Sequence, residues 1–393
     1  MTARAYTIGL LLGLALLLAV AAAVNWLVDP FWYFRGPEIE GFNAVKPKFA
    51  RFERHIKPQL LARERPQAIV LGSSLAEIGF DPGNAALTAG GRLRAYNFAF
   101  AGSDWDLVQC HFDYALGATD LERAVIGVHP GALPAPRDCA SRLTEISEFS
   151  PAKLLLSLQV LNQSVHTILE QGKGRSSHTR EGRYLYARSA PGVDSRFREF
   201  LLERGRSDPA CTRDRVPASP PPSHAIAAAH VTPAAGLDLS GLRSVIRKAR
   251  ARNVELRLFA YPQHALFVEL DMLCGQAAGR WAALAAIARV VAEEAPRGRV
   301  ELWDFYGYNE MTGEPIAGRS PRYWQDPEHF NFEMGGIMLA DMFGGAPRGE
   351  LGRRIVPGSV DEAYRAFLED RDRYLAQHPR FYEDLRAVLP PLR

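Results

Sequence analysis

Three short stretches of this 393-residue chain carry residue types and spacings suited to acyl chemistry. Gly72-Ser73-Ser74 ends the apolar run Ala68-Ile69-Val70-Leu71. Gly102 closes Asn97-Phe98-Ala99-Phe100-Ala101, and Asp326 stands three positions before His329 in the segment "YWQDPEHF" at 323–330. A serine hydroxyl is a weak nucleophile until an adjacent base takes its proton. An imidazole can be that base when a carboxylate holds its other nitrogen, and Asp-x-x-His on one helical turn puts both side chains on one face. A strand-end glycine lets the backbone approach a ligand and turn an N–H toward a developing oxyanion. Each stretch also has a plainer reading. Gly-Ser-Ser makes turns, glycines commonly end strands, and Asp326-Pro327 suits the cap and first position of a helix running through "FEMGGIMLADMF".

Other residues compete for places at such a site. His129, in Gly127-Val128-His129-Pro130, follows an apolar strand; it either donates through its ring or merely precedes a proline in a loop. His264, in "AYPQHALF", follows another strand end and either binds substrate or closes a turn. Asp304 ends "RVELWDF" and rivals Asp326 as the orienting carboxylate, but the local spacing of Asp326 to His329 favours Asp326. Asp81 and Asp104 read as turn and cap residues.

The elements that would position these residues are short buried strands alternating with helices. Strands are expected at 68–72, 95–100, 123–128, 254–261 and 299–305, with helices at 105–116, 239–252 and 267–295. This alternation predicts an α/β fold: a central parallel sheet with helices on both faces and ligands at the C-terminal ends of the strands. Residues 135–235 read as an insertion, opened by a helix at Ser150-Pro151 and passing through a Pro-rich segment at 217–225. A helical tail follows at 346–393, with Ser359 and Glu362 spaced as a capping box.

Between Arg4 and Asp29 the sequence carries no charge, and the run 5–28 is long enough to cross a bilayer. Arg4 favours an N-terminus in the cytoplasm, leaving 1–4 as a cytoplasmic stub, 29–64 as a juxtamembrane segment and the rest outside. Trp26, Phe31, Trp32, Tyr33 and Phe34 resemble an interfacial aromatic belt. The small residues at "AVAAA" fit a cleaved signal peptide instead, but the long apolar run favours an uncleaved anchor. A formal net charge of +3 excludes the dense basic surface of a nucleic-acid binder, and "RKARAR" at 247–252 reads as a solvated helix face. Four cysteines suit an oxidising compartment. None has zinc-site spacing, and the histidines do not cluster, so neither a metal nor another cofactor is expected.

Taken in order, the strand-end Gly-x-Ser, the later strand-end Gly102 and Asp-x-x-His before the last core helix resemble the SGNH (GDSL-like) hydrolase superfamily. The resemblance covers roughly residues 66–130 and 254–345. It implies a flavodoxin-like three-layer sandwich over 65–345, interrupted by the insertion and preceded by one transmembrane helix. It also implies Ser74 as nucleophile, His329 as general base and Asp326 as its orienting carboxylate, with Ser74 and Gly102 N–H groups as the oxyanion hole. The layout is more narrowly similar to membrane-anchored envelope members, such as alginate O-acetylation proteins and the D-alanine transfer protein of teichoic-acid synthesis. That implies a periplasmic O-acyltransferase or esterase acting on an envelope or exported polysaccharide, with an acyl-donating membrane partner in the transfer case. One departure stands at Gly127-Val128-His129-Pro130, where the superfamily has Gly-x-Asn-Asp: the side-chain amide of the oxyanion hole is absent. An inactive SGNH-fold scaffold is therefore the alternative, and a chance arrangement in an unrelated α/β protein is a third reading.

Overall fold

The computed structural model describes residues 2–135, 138–143, 150–185, 193–207, 216–223, 237–275, 279–295, 299–316, 321–344 and 351–389. Parts of the expected insertion, 186–192, 208–215 and 224–236, lie outside the described residues. The chain begins with helices α1 (Ala3–Val28) and α2 (Glu53–Glu64), then β1 (Ala68–Leu71), α3 (Ser74–Gly79), β2 (Ala95–Asn97), α4 (Trp105–Ala118) and β3 (Arg123–Val128). Helices α5 (Pro151–Leu156), α6 (Leu158–Leu169), α7 (Val193–Ser207) and α8 (Ser240–Ala251) lead to β4 (Glu255–Ala260). After it come α9 (Ala265–Leu273), α10 (Arg280–Glu294), β5 (Val300–Asp304), α11 (Phe332–Phe343), β6 (Arg353–Ile355), α12 (Val360–Gln377) and α13 (Phe381–Val388). They divide into two compact units, residues 1–65 with 138–185 and residues 66–137 with 186–393.

The second unit is α/β, as its alternating strands and helices predict. Its sheet runs β2-β1-β3-β4-β5-β6, the first five strands parallel and β6 antiparallel to β5. Val70, Val125, Phe259 and Trp303 share one face and join a core with Phe80, Phe330, Met334 and Met338. Ile69, Ile126, Leu258 and Leu302 alternate onto the other face and are equally buried. Burial on both faces explains why the strands read as continuous apolar runs rather than alternating ones.

Three local expectations differ from the structure here. The expected helix 267–295 is two helices, because Gly275 and Gly279 adopt left-handed backbone (φ 75° and 78°) between α9 and α10. The expected helical tail contributes β6 to the sheet edge before its helices begin. The Ser359–Glu362 capping box does not form at α12: the Ser359 hydroxyl instead bonds Val356 N–H and C=O, both at 3.0 Å. The tail is held by buried Arg371 of α12, which donates to both carboxylate oxygens of Glu269 on α9 at 2.8 and 2.6 Å. The Tyr308 and Tyr382 hydroxyls donate to the same carboxylate.

The first unit contains the apolar helix α1, long and apolar enough to cross a membrane. Residues 138–185 of the expected insertion compact with this unit, not with the sheet. Pro151 takes the first position of α5 with Ser150 as its cap, as expected. The helical run then breaks at Ser157, whose hydroxyl accepts from Gln159 and Val160 N–H to start α6. The aromatic cluster is not a fully exposed belt: Phe31 packs on Phe52 at 5.1 Å and Trp32 on Phe49 at 5.3 Å, while Trp26 stays exposed. Asp29 ends α1 in left-handed backbone (φ 43°), and its carboxylate accepts from Tyr33 and Phe34 N–H. Beside it Lys46 donates to Val28 C=O at 2.9 Å; burial lowers its ammonium to about 8 and raises the Asp29 carboxyl. Cys110, Cys139 and Cys274 are disulfide-bonded.

Candidate active site

Ser74 is the first residue of α3, delivered to the C-terminal edge of the sheet by the tight turn after β1. Ser73 is extended and makes no side-chain cap, so the first N–H groups of this short helix are left uncapped from within the turn. Two side chains fix the turn. The Tyr261 hydroxyl, just beyond β4, accepts from Ser73 N–H at 3.1 Å. A Cβ at Gly72 would fall 2.2 Å from that hydroxyl oxygen, and one at Gly127 would fall 2.0 Å from it. Both strand-end glycines are thus the space into which Tyr261 fits, and burial raises its hydroxyl to about 12. On the other side, buried Asn97 of β2 donates to the carbonyls of Ala76, Glu77 and Phe80 at 3.0–3.1 Å, while its Oδ1 accepts from Ala99 N–H. These bonds supply donors to the last carbonyls of this short helix and its cap, of which Ala76 C=O also accepts from Phe80 N–H.

Asp326 and His329 lie in a tight loop, not in the helical turn expected from their spacing. The loop is closed by an antiparallel bridge between Trp324 and Phe330 and by Gln325 N–H donating to His329 C=O at 2.8 Å. Helix α11 starts only at Phe332, and its cap is Asn331, which accepts from Glu333 and Met334 N–H. Asp326 is fully buried and folds the loop around its own carboxylate, accepting from Glu328 N–H at 3.0 Å and His329 N–H at 2.8 Å. The same carboxylate lies 2.8–2.9 Å from His329 Nδ1. Trp324, buried and donating its indole N–H to Met311 C=O, anchors the loop from beneath.

The serine turn and this loop meet because α3 and α11 approach closely. A Cβ on Gly335 would lie 1.8 Å from the Gly79 carbonyl oxygen, and one on Gly79 would lie 2.1 Å from the Phe330 ring. Across that contact Ser74 Oγ is 2.8 Å from His329 Nε2. With Nδ1–H turned to Asp326, Nε2 is the unprotonated nitrogen facing the hydroxyl, the arrangement that lets it take the serine proton. The Phe200 ring of α7 stands edge-on to His329 at 6.0 Å.

The remaining candidates occupy different places. Gly102 follows β2 in left-handed backbone (φ 71°), in a loop tied to the serine turn by Phe100 N–H donating to Gly72 C=O. His129 opens onto a cavity of about 400 Å³ lined by Ser73, Ser103, Trp105, Leu133 and Tyr261. Its ring lies 4.6 Å from that of Tyr261; the surrounding protein and the charge of Arg280 lower it to about 4. His264 is buried with both ring nitrogens engaged: Nδ1 accepts from Leu266 N–H as the cap of α9, and Nε2 donates to Glu314 C=O at 2.9 Å. Its backbone N–H donates to Pro327 C=O, so His264 braces the loop that carries Asp326. Asp304 is committed to Arg280 at 2.5 Å. Asp81 and Asp104 are the turn and cap residues expected of them.

Three contributors escape a reading of the sequence. Asn97 had a signal, an amide inside the apolar run Ala95–Phe100. Tyr261 and Gly335 had none, because their roles depend on packing across distant strands and helices. Compared with known proteins, the chain matches no family model and no curated protein.

Proposed function

We propose that this chain is a membrane-anchored, extracytoplasmic serine acyltransferase or esterase of SGNH-like type, acting on O-acyl groups of an envelope or exported polysaccharide. The observation that carries the chemistry is the continuous hydrogen-bonded line Ser74 Oγ–His329 Nε2, His329 Nδ1–Asp326, at 2.8–2.9 Å throughout. Its position at the C-terminal edge of a parallel sheet, and the order β2-β1-β3-β4-β5 of flavodoxin-like doubly wound sheets, support the SGNH-like reading. Helix α1 supports the anchor, with the N-terminus in the cytoplasm, and the bonded cysteines support an oxidising exterior.

In this reading Ser74 Oγ attacks the ester carbonyl while His329 Nε2 takes its proton and Asp326 stabilises the imidazolium. The tetrahedral oxyanion is met by the N–H groups of Ser74 and Gly102. Collapse breaks the ester C–O bond, and the leaving alkoxide takes the proton from His329, leaving acyl-Ser74. A sugar hydroxyl or water, deprotonated by His329, then attacks the acyl carbon and releases Ser74. A sugar hydroxyl gives transfer, with a membrane partner supplying the acyl group; water gives hydrolysis. No step calls for a cofactor.

The alternative, a non-catalytic SGNH-like scaffold of the same machinery, is favoured by one observation: the loop after β3 offers His129 where a side-chain amide would complete the oxyanion hole. The two are separated by treating the full chain in detergent with a fluorophosphonate or an aryl acetate and weighing the intact protein. An adduct in the wild type that is absent from Ser74→Ala and His329→Ala supports the enzyme. No adduct on a folded wild type overturns it in favour of the scaffold.

A further inference from the structure

Helix α6 is built inside out for a helix in water. Its buried face is mostly polar: Gln163, Ser164 and Thr167 are 4%, 0% and 0% exposed, with Val160 beside them. Its outward face carries Leu158, Val165 and Leu169 at 75%, 44% and 65%, continued by Leu156 of α5 at 46%, with Asn162 among them and Gln159 and His166 along one side. A helix of a water-soluble domain turns its apolar stripe toward the core and its polar face to solvent. The opposite arrangement belongs where the surroundings are hydrocarbon and where polar side chains are used to join helices.

Ser164 of that face is used in that way. Asn25 of α1, fully buried, donates to Leu155 C=O at 2.8 Å and to Ser157 C=O at 3.4 Å, and its Oδ1 accepts from the Ser164 hydroxyl at 2.9 Å. Ala21, Asn25 and Val28 form the one buried stripe of α1, spaced as a helix–helix contact. The outward leucines of α6 therefore continue an apolar surface that α1 has already begun. No charge interrupts α5 and α6 from Leu154 to Leu169. Charges return at both ends: Lys153 before, and Glu170, paired with Lys48 at 2.6 Å, after. With 12 residues α6 reaches about 18 Å, short of the roughly 30 Å hydrocarbon core.

We infer that α5 and α6 form a second membrane contact, an element seated in the outer leaflet against the last two turns of α1, with lipid acyl chains on Leu156, Leu158, Val165 and Leu169. This rests on the reading of α1 as a membrane anchor and is independent of the serine chemistry.

The test uses the full chain in phosphatidylcholine–phosphatidylglycerol nanodiscs. Among the described residues no cysteine is free, so a nitroxide is attached to single introduced cysteines, with the unsubstituted chain as labelling background. Power-saturation measurements compare collision with oxygen, which partitions into lipid, and with a water-soluble nickel chelate. Leu158→Cys, Val165→Cys and Leu169→Cys are expected to give an oxygen-to-nickel ratio several-fold above Arg92→Cys on the exposed surface of the α/β unit, as does Leu14→Cys on α1. Gln163→Cys is expected to be shielded from both reagents. Nickel access at 158, 165 and 169 equal to that at Arg92→Cys overturns the inference. Shielding from both reagents at those positions also overturns it, in favour of a protein partner on this face. A water-like Leu14→Cys removes the anchor and the inference together, while fluorophosphonate labelling of Ser74 in the same discs reads the proposed chemistry separately.

Discussion

His329 and His264 sit in adjoining loops of the α/β unit, and each imidazole has both nitrogens engaged. What separates them is the nature of the partners. His329 lies between a carboxylate and a hydroxyl, so a proton arriving at Nε2 has a source and the resulting charge has a counter-ion. His264 lies between a backbone N–H and a backbone carbonyl, neither of which gives or takes a proton. The same side chain is thereby a candidate base in one loop and a structural cap in the next. Counting hydrogen bonds would not distinguish them.

Replacing Asp326 with Asn gives the sharpest contrast. It keeps the shape of the loop but removes the charge, and in serine triads such a change costs about 10⁴-fold in rate. Fluorophosphonate labelling of Ser74 followed over time should slow by about that factor, whereas His264→Gln at pH 7.5 should stay within about tenfold of wild type. Equal losses would erase the distinction.

The second expectation concerns pH. Burial lowers His264 to about 4, from an ordinary 6.5. Between those values the unfolded chain binds a proton that the folded chain refuses, so the stability tied to the neutral ring is complete above about pH 6.5 and lost as the pH falls toward about 4. The full loss is about 3 kcal/mol. Urea unfolding at pH 7.5, 5.5 and 4.5 should show this slope, and His264→Gln should flatten it. A wild type and variant with parallel slopes would mean that His264 does not titrate in this range.

The smallest effect is expected at Tyr261→Phe. Ser73 N–H loses its acceptor while the ring that fills the space beside Gly72 and Gly127 remains, a cost of about 1 kcal/mol. Labelling of Ser74 should slow a few-fold with the fold intact by circular dichroism. An unchanged rate would show that Asn97 alone suffices to hold α3.

The strands around the site were legible in the sequence because both faces of a parallel sheet are buried, and five apolar runs bounded by glycines and charges fall within a few residues of β1 to β5. The order of Ser74, Gly102, Asp326 and His329 was legible too, as spacing. The loop around Asp326 was not, because Asp-Pro opens helices as readily as it opens this turn, and the Trp324–Phe330 bridge that decides the matter is tertiary. Strand β6 escaped for a different reason: Arg353, Arg354 and Ile355 carry no strand pattern until an edge receives them. Helix α6 defeats periodicity altogether, since an apolar stripe says how a helix is two-sided and not which side meets the protein.

The chain crosses between its two units three times, after Arg65, after Arg137 and after Leu185. Trimming the N-terminus at the end of α1 therefore does not release the α/β unit alone. It leaves α5 and α6 behind without Asn25, so that the Leu155 carbonyl and the Ser164 hydroxyl lose that partner while the Ser157 carbonyl keeps Leu161 N–H. The α/β unit by itself lacks residues 138–185 as well, so isolating it means rejoining their ends by a linker. The unit that holds α1 is in that sense two pieces of sequence more than seventy residues apart, and deleting either one strands the other.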